Sequence, residues 1–159
     1  MKITLLTVGK IKESYLEAGI REYVKRLSRY CKLETFEVAD EKTPDGASEN
    51  QERQIREKEG KRLLNLIRPD AYVITLEIQG KQLSSTQLAG KLERLGVEGT
   101  SHITLVIGGS LGLSDEVIGR ADFHLSLSVM TFPHQLTRLL LLEQLYRCYR
   151  IINGEPYHK

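Results

Sequence analysis

Three short segments of this 159-residue chain hold the residue types that could do chemistry. GGSLGL, at 108–113, sets Gly108, Ser110 and Gly112 in the G-x-S-x-G spacing that presents a serine nucleophile on a tight turn after a strand. A hydrolase of that kind also needs an acid and a histidine, for which Asp122 or Glu143 and His134 or His158 are available. The same glycines have a second reading, since backbone without side chains can approach a bound ligand closely. EIQGK at 77–81 and SVMTFPHQ at 128–135 are the other two segments. Neither G-x-G-x-x-G nor G-x-x-x-x-G-K-[ST] occurs, which argues against a dinucleotide or triphosphate cradle. His102, His124, His134 and His158 share no H-E-x-x-H or C-x-x-C partnership, so no metal site is expected.

Each of these segments follows a short apolar run: 72–76, 103–107 and 123–127 read as strands, as do 2–8 and 32–38. Between them, helical spacing appears at 13–30, where Leu16, Ile20, Tyr23, Val24 and Leu27 share one face, and at 84–95, 114–120 and 133–151. Ser48 and Gln51 form a capping box, and the charged helix it opens is expected to hold its first half in water and to end before Pro69. Strands alternating with helices mean a parallel sheet covered by helices, an α/β fold in one domain over 1–159. In such sheets ligands sit beyond the carboxyl ends of the strands, which is where the three segments fall.

Composition narrows the classes. With 40% hydrophobic and 28% charged residues, the chain is an ordinary folded protein and not a disordered or fibrous one. Two cysteines, Cys31 and Cys148, are too few for a disulfide framework. No apolar stretch nears the roughly 18 residues of a membrane span, and the N-terminus lacks a signal-peptide pattern, so a cytoplasmic location is expected. A net charge of +2 is too small to imply nucleic-acid binding by itself. Local patterning is stronger: Arg21, Lys25, Arg29 and Lys32 make a basic stripe that is either a solvated face or a phosphate contact.

Leu139 to Leu142 point in all directions around the last helix, so both sides of it need cover. The sheet can supply one side, and a second subunit related by two-fold symmetry is the natural cover for the other. Arg138, Glu143, Arg147 and Arg150 interrupt that apolar surface, with Glu143 and Arg147 in the favourable order for a local ion pair.

LVIGGSLGL, SLSVMTFPHQLTRLLLLEQLYRCYRI and NGEPYHK, together with MKITLLTVGK and TLEIQGK, closely resemble the bacterial SPOUT-class methyltransferases that modify N3 of a pseudouridine in 23S ribosomal RNA. The resemblance covers essentially the whole chain. It implies a C-terminal trefoil knot, a homodimer and S-adenosylmethionine as methyl donor, held by Leu76, Gly108, Leu127, Ser128, Val129, Met130, Thr131 and Phe132. It further points to His134 or His158 as the group that takes the N3 proton, with Glu143 a weaker alternative. Tyr157 is expected to stack on the target base, and Arg138, Arg147 and Lys159 to meet phosphate or a uracil anion. Lys159 stands where some related sequences carry Arg, which loses a bidentate contact there. The small net charge implies that recognition needs the folded ribosome and both subunits. Against this stand the Ser110 hydrolase and a ribosome-binding module without catalysis.

Overall fold

Runs of aliphatic and β-branched residues alternate with helices that carry their own start signals, and the computed structural model, which describes all 159 residues, turns them into ten elements. In chain order these are β1 (Lys2–Val8), α1 (Ser14–Leu27), β2 (Lys32–Val38), α2 (Glu49–Leu64) and β3 (Tyr72–Gln82). There follow α3 (Ser85–Val97), β4 (His102–Val106), α4 (Asp115–Arg120), β5 (Phe123–Ser126) and α5 (His134–Ile152). Ser48 and Ser84 both accept from the backbone N–H three residues on, and Gln51 and Gln87 reach back to the cap N–H, so two helix starts are locally encoded.

All strands are parallel, in the order β2-β1-β4-β3-β5. Helices α1, α3 and α5 cover one face through a core that includes Leu27, Leu88, Leu92, Leu141, Leu142 and Leu145. Helices α2 and α4 cover the other, where Leu63 and Val117 meet Leu6, Val73 and Val106. The connection from β3 to β4 runs on the first face, and that from β4 over β3 to β5 on the second. Chain leaving the carboxyl ends of β3 and β4 therefore diverges to opposite faces, and a crevice opens between them.

Four elements depart from what the sequence patterning leads one to expect. EIQGK is not a loop: β3 continues through it to Gln82, and its partner on β5, Leu125, pairs with both Leu76 and Lys81 across an irregular bulge. Gly80 permits this, because a Cβ there would stand 2.8 Å from the carbonyl carbon of Leu125. Burial on α2 begins earlier than its charged sequence implies, at Ile55, and takes in Glu59 and Gly60. Lys32 opens β2 and so is not part of the α1 stripe, which ends at Arg29. Lastly, α5 is flanked by α1 and α3 as well as backed by the sheet, and Leu139 lies close enough to α1 that a Cβ on Gly19 would sit 3.2 Å from its methyl groups. Leu136, Leu139 and Leu140 remain only half-buried.

Candidate active site

The three segments converge on one cavity of about 800 Å³ at the carboxyl ends of β3, β4 and β5. Leu76 to Gln79 form one wall, Ile107 to Leu113 a second, and Leu127, Ser128 and Met130 to His134 the third. Of the eight residues nominated for the methyl donor, Leu76, Gly108, Leu127, Ser128, Met130, Thr131 and Phe132 line this cavity, and Val129 projects outside its lining at 73% exposure. Gly108 is required by its neighbours: a Cβ would lie 2.7 Å from the carbonyl carbon of Gly112, so any larger residue pushes the glycine turn into the space. Gly112 itself holds a positive φ of 84° and donates its N–H to the Gly109 carbonyl at 3.1 Å, closing the turn. Ser126 Oγ donates to the Ser128 carbonyl at 3.0 Å, and Ser128 Oγ accepts from the Met130 N–H at 3.0 Å, which stiffens the third wall.

His134, the first residue of α5, completes this cavity. Desolvation by burial, then the nearby Arg138 cation, push its pKa below the ordinary histidine value, so it is neutral at pH 7 and has a lone pair to accept a proton. Arg138 is placed otherwise than a substrate contact would need. Its side chain is buried, with Nη1 2.5 Å from Glu37 Oε2 and Nη2 donating to the carbonyls of Val8 and Gly9 at 3.3 and 3.1 Å. It ties α5 to the ends of β1 and β2.

Glu143, Arg147, Tyr157 and His158 gather along the second half of α5. Arg147 places Nε 3.0 Å and Nη2 2.5 Å from Glu143 Oε1, and Tyr157 donates to the same oxygen at 3.1 Å. Arg147 also lies 4.7 Å from the Tyr157 ring centre, and its Nη1 sits 3.1 Å from His158 Nδ1. Tyr146 meets the Tyr157 ring edge-on at 4.9 Å, so within one chain this aromatic is enclosed and is not free to stack on a base. Burial, helped by Tyr23 and Glu143, raises the Tyr157 pKa and keeps it a hydrogen-bond donor. Behind it, Glu155 accepts from Tyr30 at 3.0 Å and from Arg150 at 2.6 Å, and Arg150 Nη2 donates to the Pro156 carbonyl at 2.8 Å.

The hydrolase arrangement does not assemble. Ser110 lies on the turn between Gly109 and Gly112, several residues before α4, and its hydroxyl has no histidine partner. Asp122 is engaged by the Val73 N–H at 2.8 Å and by Arg120, and Glu143 belongs to the tail cluster. The thiols offer no nucleophile either, since burial pushes Cys148 up to about 12 and raises Cys31. No three of the metal-binding side chains lie close enough together to hold an ion. No helix is long and apolar enough to cross a membrane.

Comparison with known proteins decides the family. The family model described as "Predicted SPOUT methyltransferase" matches residues 1–158. The chain belongs to the SPOUT methyltransferases. Proteins named "Ribosomal RNA large subunit methyltransferase H" from Bifidobacterium adolescentis, Acetivibrio thermocellus and Clostridium beijerinckii are 64%, 56% and 57% identical to it over the full length of both chains. Among solved structures, a probable methylase family protein from Haemophilus influenzae Rd KW20 aligns over 99% of this chain and 70% of its own, with a TM-score of 0.54 at 14% identity. That likeness supports the fold alone. Membership makes the chain an enzyme that uses a methyl donor of the S-adenosylmethionine type, and the cavity fits such a donor. It is roomy, largely apolar in its side chains, and has backbone N–H and C=O groups at its glycine wall.

Several lining residues were not nominated individually from the sequence, although Glu77 and Gln79 lie in EIQGK and Leu111 in GGSLGL. Glu77, Gln79, Ile107, Leu111 and Thr137 also face the cavity. Glu59 stands behind the glycine turn, its carboxylate accepting from the Glu41 N–H at 2.9 Å and its Oε1 3.2 Å from where a Gly109 Cβ would be. Burial raises its pKa above that of an ordinary carboxylate. In sequence it was one charge among many on α2, and only its position on the Ile55–Leu63 face distinguished it.

Proposed function

We propose that this chain transfers a methyl group from S-adenosylmethionine to N3 of a pseudouridine in 23S ribosomal RNA, in the cytoplasm, acting as a homodimer on the assembled ribosome. The observation that carries the reading is the cavity walled by the bulged segment of β3 and by the two chain segments that follow β4 and β5, in a chain whose full-length relatives are named as large-subunit ribosomal RNA methyltransferases. The donor supplies an electrophilic methyl carbon, and in-line displacement needs above all that carbon and nitrogen be held at near-attack distance. Leu76, Leu127 and Phe132 supply an apolar enclosure, and the turn 108–112 supplies backbone partners for the purine edge. The N3 nitrogen must lose its hydrogen to attack, and His134, kept neutral by burial, is positioned to accept it. Ile78 and Met130 stay 49% and 69% exposed at this wall, an apolar rim on which a splayed base can settle.

The dimer reading is supported by distance. Along α5 the 13 residues from His134, at the cavity, to Arg147, which contacts Tyr157 and His158, rise roughly 20 Å, so these two tail side chains are held away from His134 of their own chain. Tyr157 and His158 contribute to catalysis only if they approach the cavity of a partner, which an antiparallel pairing of α5 surfaces would accomplish. The half-buried Leu136 and Leu140 are the surface for it. A trefoil knot formed by the chain after β4 is part of the same proposal. Lys25 on α1 and Arg29 in the turn after it extend the RNA contact; Arg21 and Arg29 have acidic neighbours at 3.7 and 3.5 Å, and Lys25 has none.

Labelled methyl incorporation tests the whole reading. Ribosomes lacking the modification, incubated with protein and methyl-labelled donor, should gain label at a single pseudouridine of the large-subunit RNA. Protein-free 23S RNA should gain far less. No label in either substrate contradicts the proposal.

A further inference from the structure

Glu77 is the only Asp, Glu, Lys or Arg side chain among the twenty residues lining the cavity. The other titratable side chain there, His134, is neutral. Glu77 sits at the bulge of β3 with its side chain 17% exposed. Its Oε2 accepts from Thr75 Oγ1 at 2.5 Å and lies 2.5 Å from His124 Nδ1 on β5. Thr75 is fully buried, so that anchor is rigid. Oε1 accepts no hydrogen bond from the chain and is not among its buried unsatisfied atoms, which leaves it open. Together the geometry is an oriented anion in a cavity with no cationic side chain of its own. A group of this kind distinguishes ligands by charge.

Resting on the reading of this cavity as the S-adenosylmethionine site, we infer that Glu77 is the residue that selects the cationic donor over its neutral product. The donor carries a sulfonium and the product a thioether; their shapes otherwise nearly coincide. Transfer moves the methyl to N3, the sulfur keeps the electron pair of the broken bond, and the N3 proton leaves to the base. The positive charge on sulfur is thereby lost. The attraction of Glu77 for the ligand falls at the moment of reaction, which favours release of product over retention. Thr75 and His124 act through Glu77 as positioning residues. Carboxylate and sulfonium a few ångströms apart in a partly desolvated site give a discrimination of roughly tenfold or more.

Calorimetric titration of the intact protein with S-adenosylmethionine, S-adenosylhomocysteine and sinefungin, which bears an ammonium in place of the sulfonium, reads this directly. Wild type should bind the two cationic ligands at least about tenfold more tightly than the thioether. In Glu77→Gln that ratio should fall towards one, with thioether affinity changed by less than about twofold, because only the charge is removed. Glu77→Asp, which keeps the charge but draws it back by a methylene, should give an intermediate ratio and serves if the glutamine variant does not fold. An unchanged ratio in either variant, or equal loss of all three ligands, overturns the inference. A wild type that binds all three equally overturns it as well. Failure of wild type to bind any of the three would instead remove the cofactor reading on which it rests.

Discussion

The two ends of α5 are built on opposite principles. At its start, around His134, the walls are glycine turns, apolar side chains and one open carboxylate, so the space is defined by backbone and few partners are satisfied within the chain. From its middle to its finish, Glu143, Arg147, Arg150, Glu155 and four tyrosines hold one another by charge-assisted bonds and ring contacts, although Arg150 Nε is buried without a partner. One end is shaped to receive a ligand, and the other holds a tail in place. The difference teaches that the cavity is sensitive to added volume, whereas the tail is sensitive to loss of a single anchor.

Gly108→Ala should produce the largest effect. Its Cβ meets the Gly112 backbone at 2.7 Å, so the turn must shift and donor affinity should fall by about two orders of magnitude, whereas the tail cluster is untouched. Calorimetry together with a thermal melt checks this; tight binding by the alanine variant would show that the turn is not a wall of the site. Deleting Tyr157 to Lys159 should have the complementary result, loss of methylation by roughly a hundredfold or more with donor affinity unchanged within about twofold. Full turnover by the truncated protein would remove the tail from the mechanism. A smaller effect is expected for Tyr30→Phe, which deletes a donor to Glu155 and a weaker acceptor for Arg150 at 3.2 Å and retains the ring that stacks on Tyr149 at 5.6 Å. Turnover should drop a few-fold to about tenfold with little change in melting temperature, since one hydrogen bond is worth about 1 kcal/mol.

Charge reversal at Lys25 and Arg29 should weaken ribosome binding and flatten its salt dependence without altering donor affinity. Unchanged methylation would remove the α1 stripe from the RNA contact. The smallest effect is on stability against pH. Burial lowers the pKa of His134 and of His102, which sits 2.8 Å from Thr4 Oγ1, below the unfolded value of 6.5. The unfolded chain then binds more protons, so stability is full above about pH 6.5 and declines as pH falls through the depressed folded values. Glu59, whose pKa is raised, has the opposite sign: its contribution is present below the unfolded value of 4.5 and is lost as pH rises through the folded one. With two histidines acting against one carboxylate that protonates only at lower pH, urea titrations from pH 8 to pH 6 should show a falling midpoint. A midpoint that rises over that interval contradicts the burial of the histidines.

Much of this was legible in the amino-acid order. The capping box at Ser48, the parallel alternation, and the three strand-end segments could be read locally, because each depends on residues a few positions apart. The polar continuation of β3 could not, because EIQGK is extended through pairing with β5 over forty residues later, where Gly80 allows close backbone approach. Four adjacent leucines showed that α5 is covered but not by what, and α1 and α3 of the same chain supply more of that cover than patterning alone could show. Arg138 was read as facing substrate, yet its partners Glu37, Val8 and Gly9 lie 101 to 130 residues away in sequence. For the same reason the clamp from Tyr30 to Glu155 was invisible, while the local Glu143–Arg147 pair was not.

Mixing two inactive proteins tests most directly whether a working site takes its cavity from one chain and its tail from another. Gly108→Ala protomers carry an intact tail, and protomers truncated before Tyr157 carry an intact cavity. After denaturation and joint refolding at equal amounts, half the dimers should be mixed with one complete site each, restoring about a quarter of wild-type methylation. Recovery to that level from two proteins that are each inactive alone is the expected result. No activity above that of the separate variants, with mixed dimers demonstrably formed, would contradict the shared site.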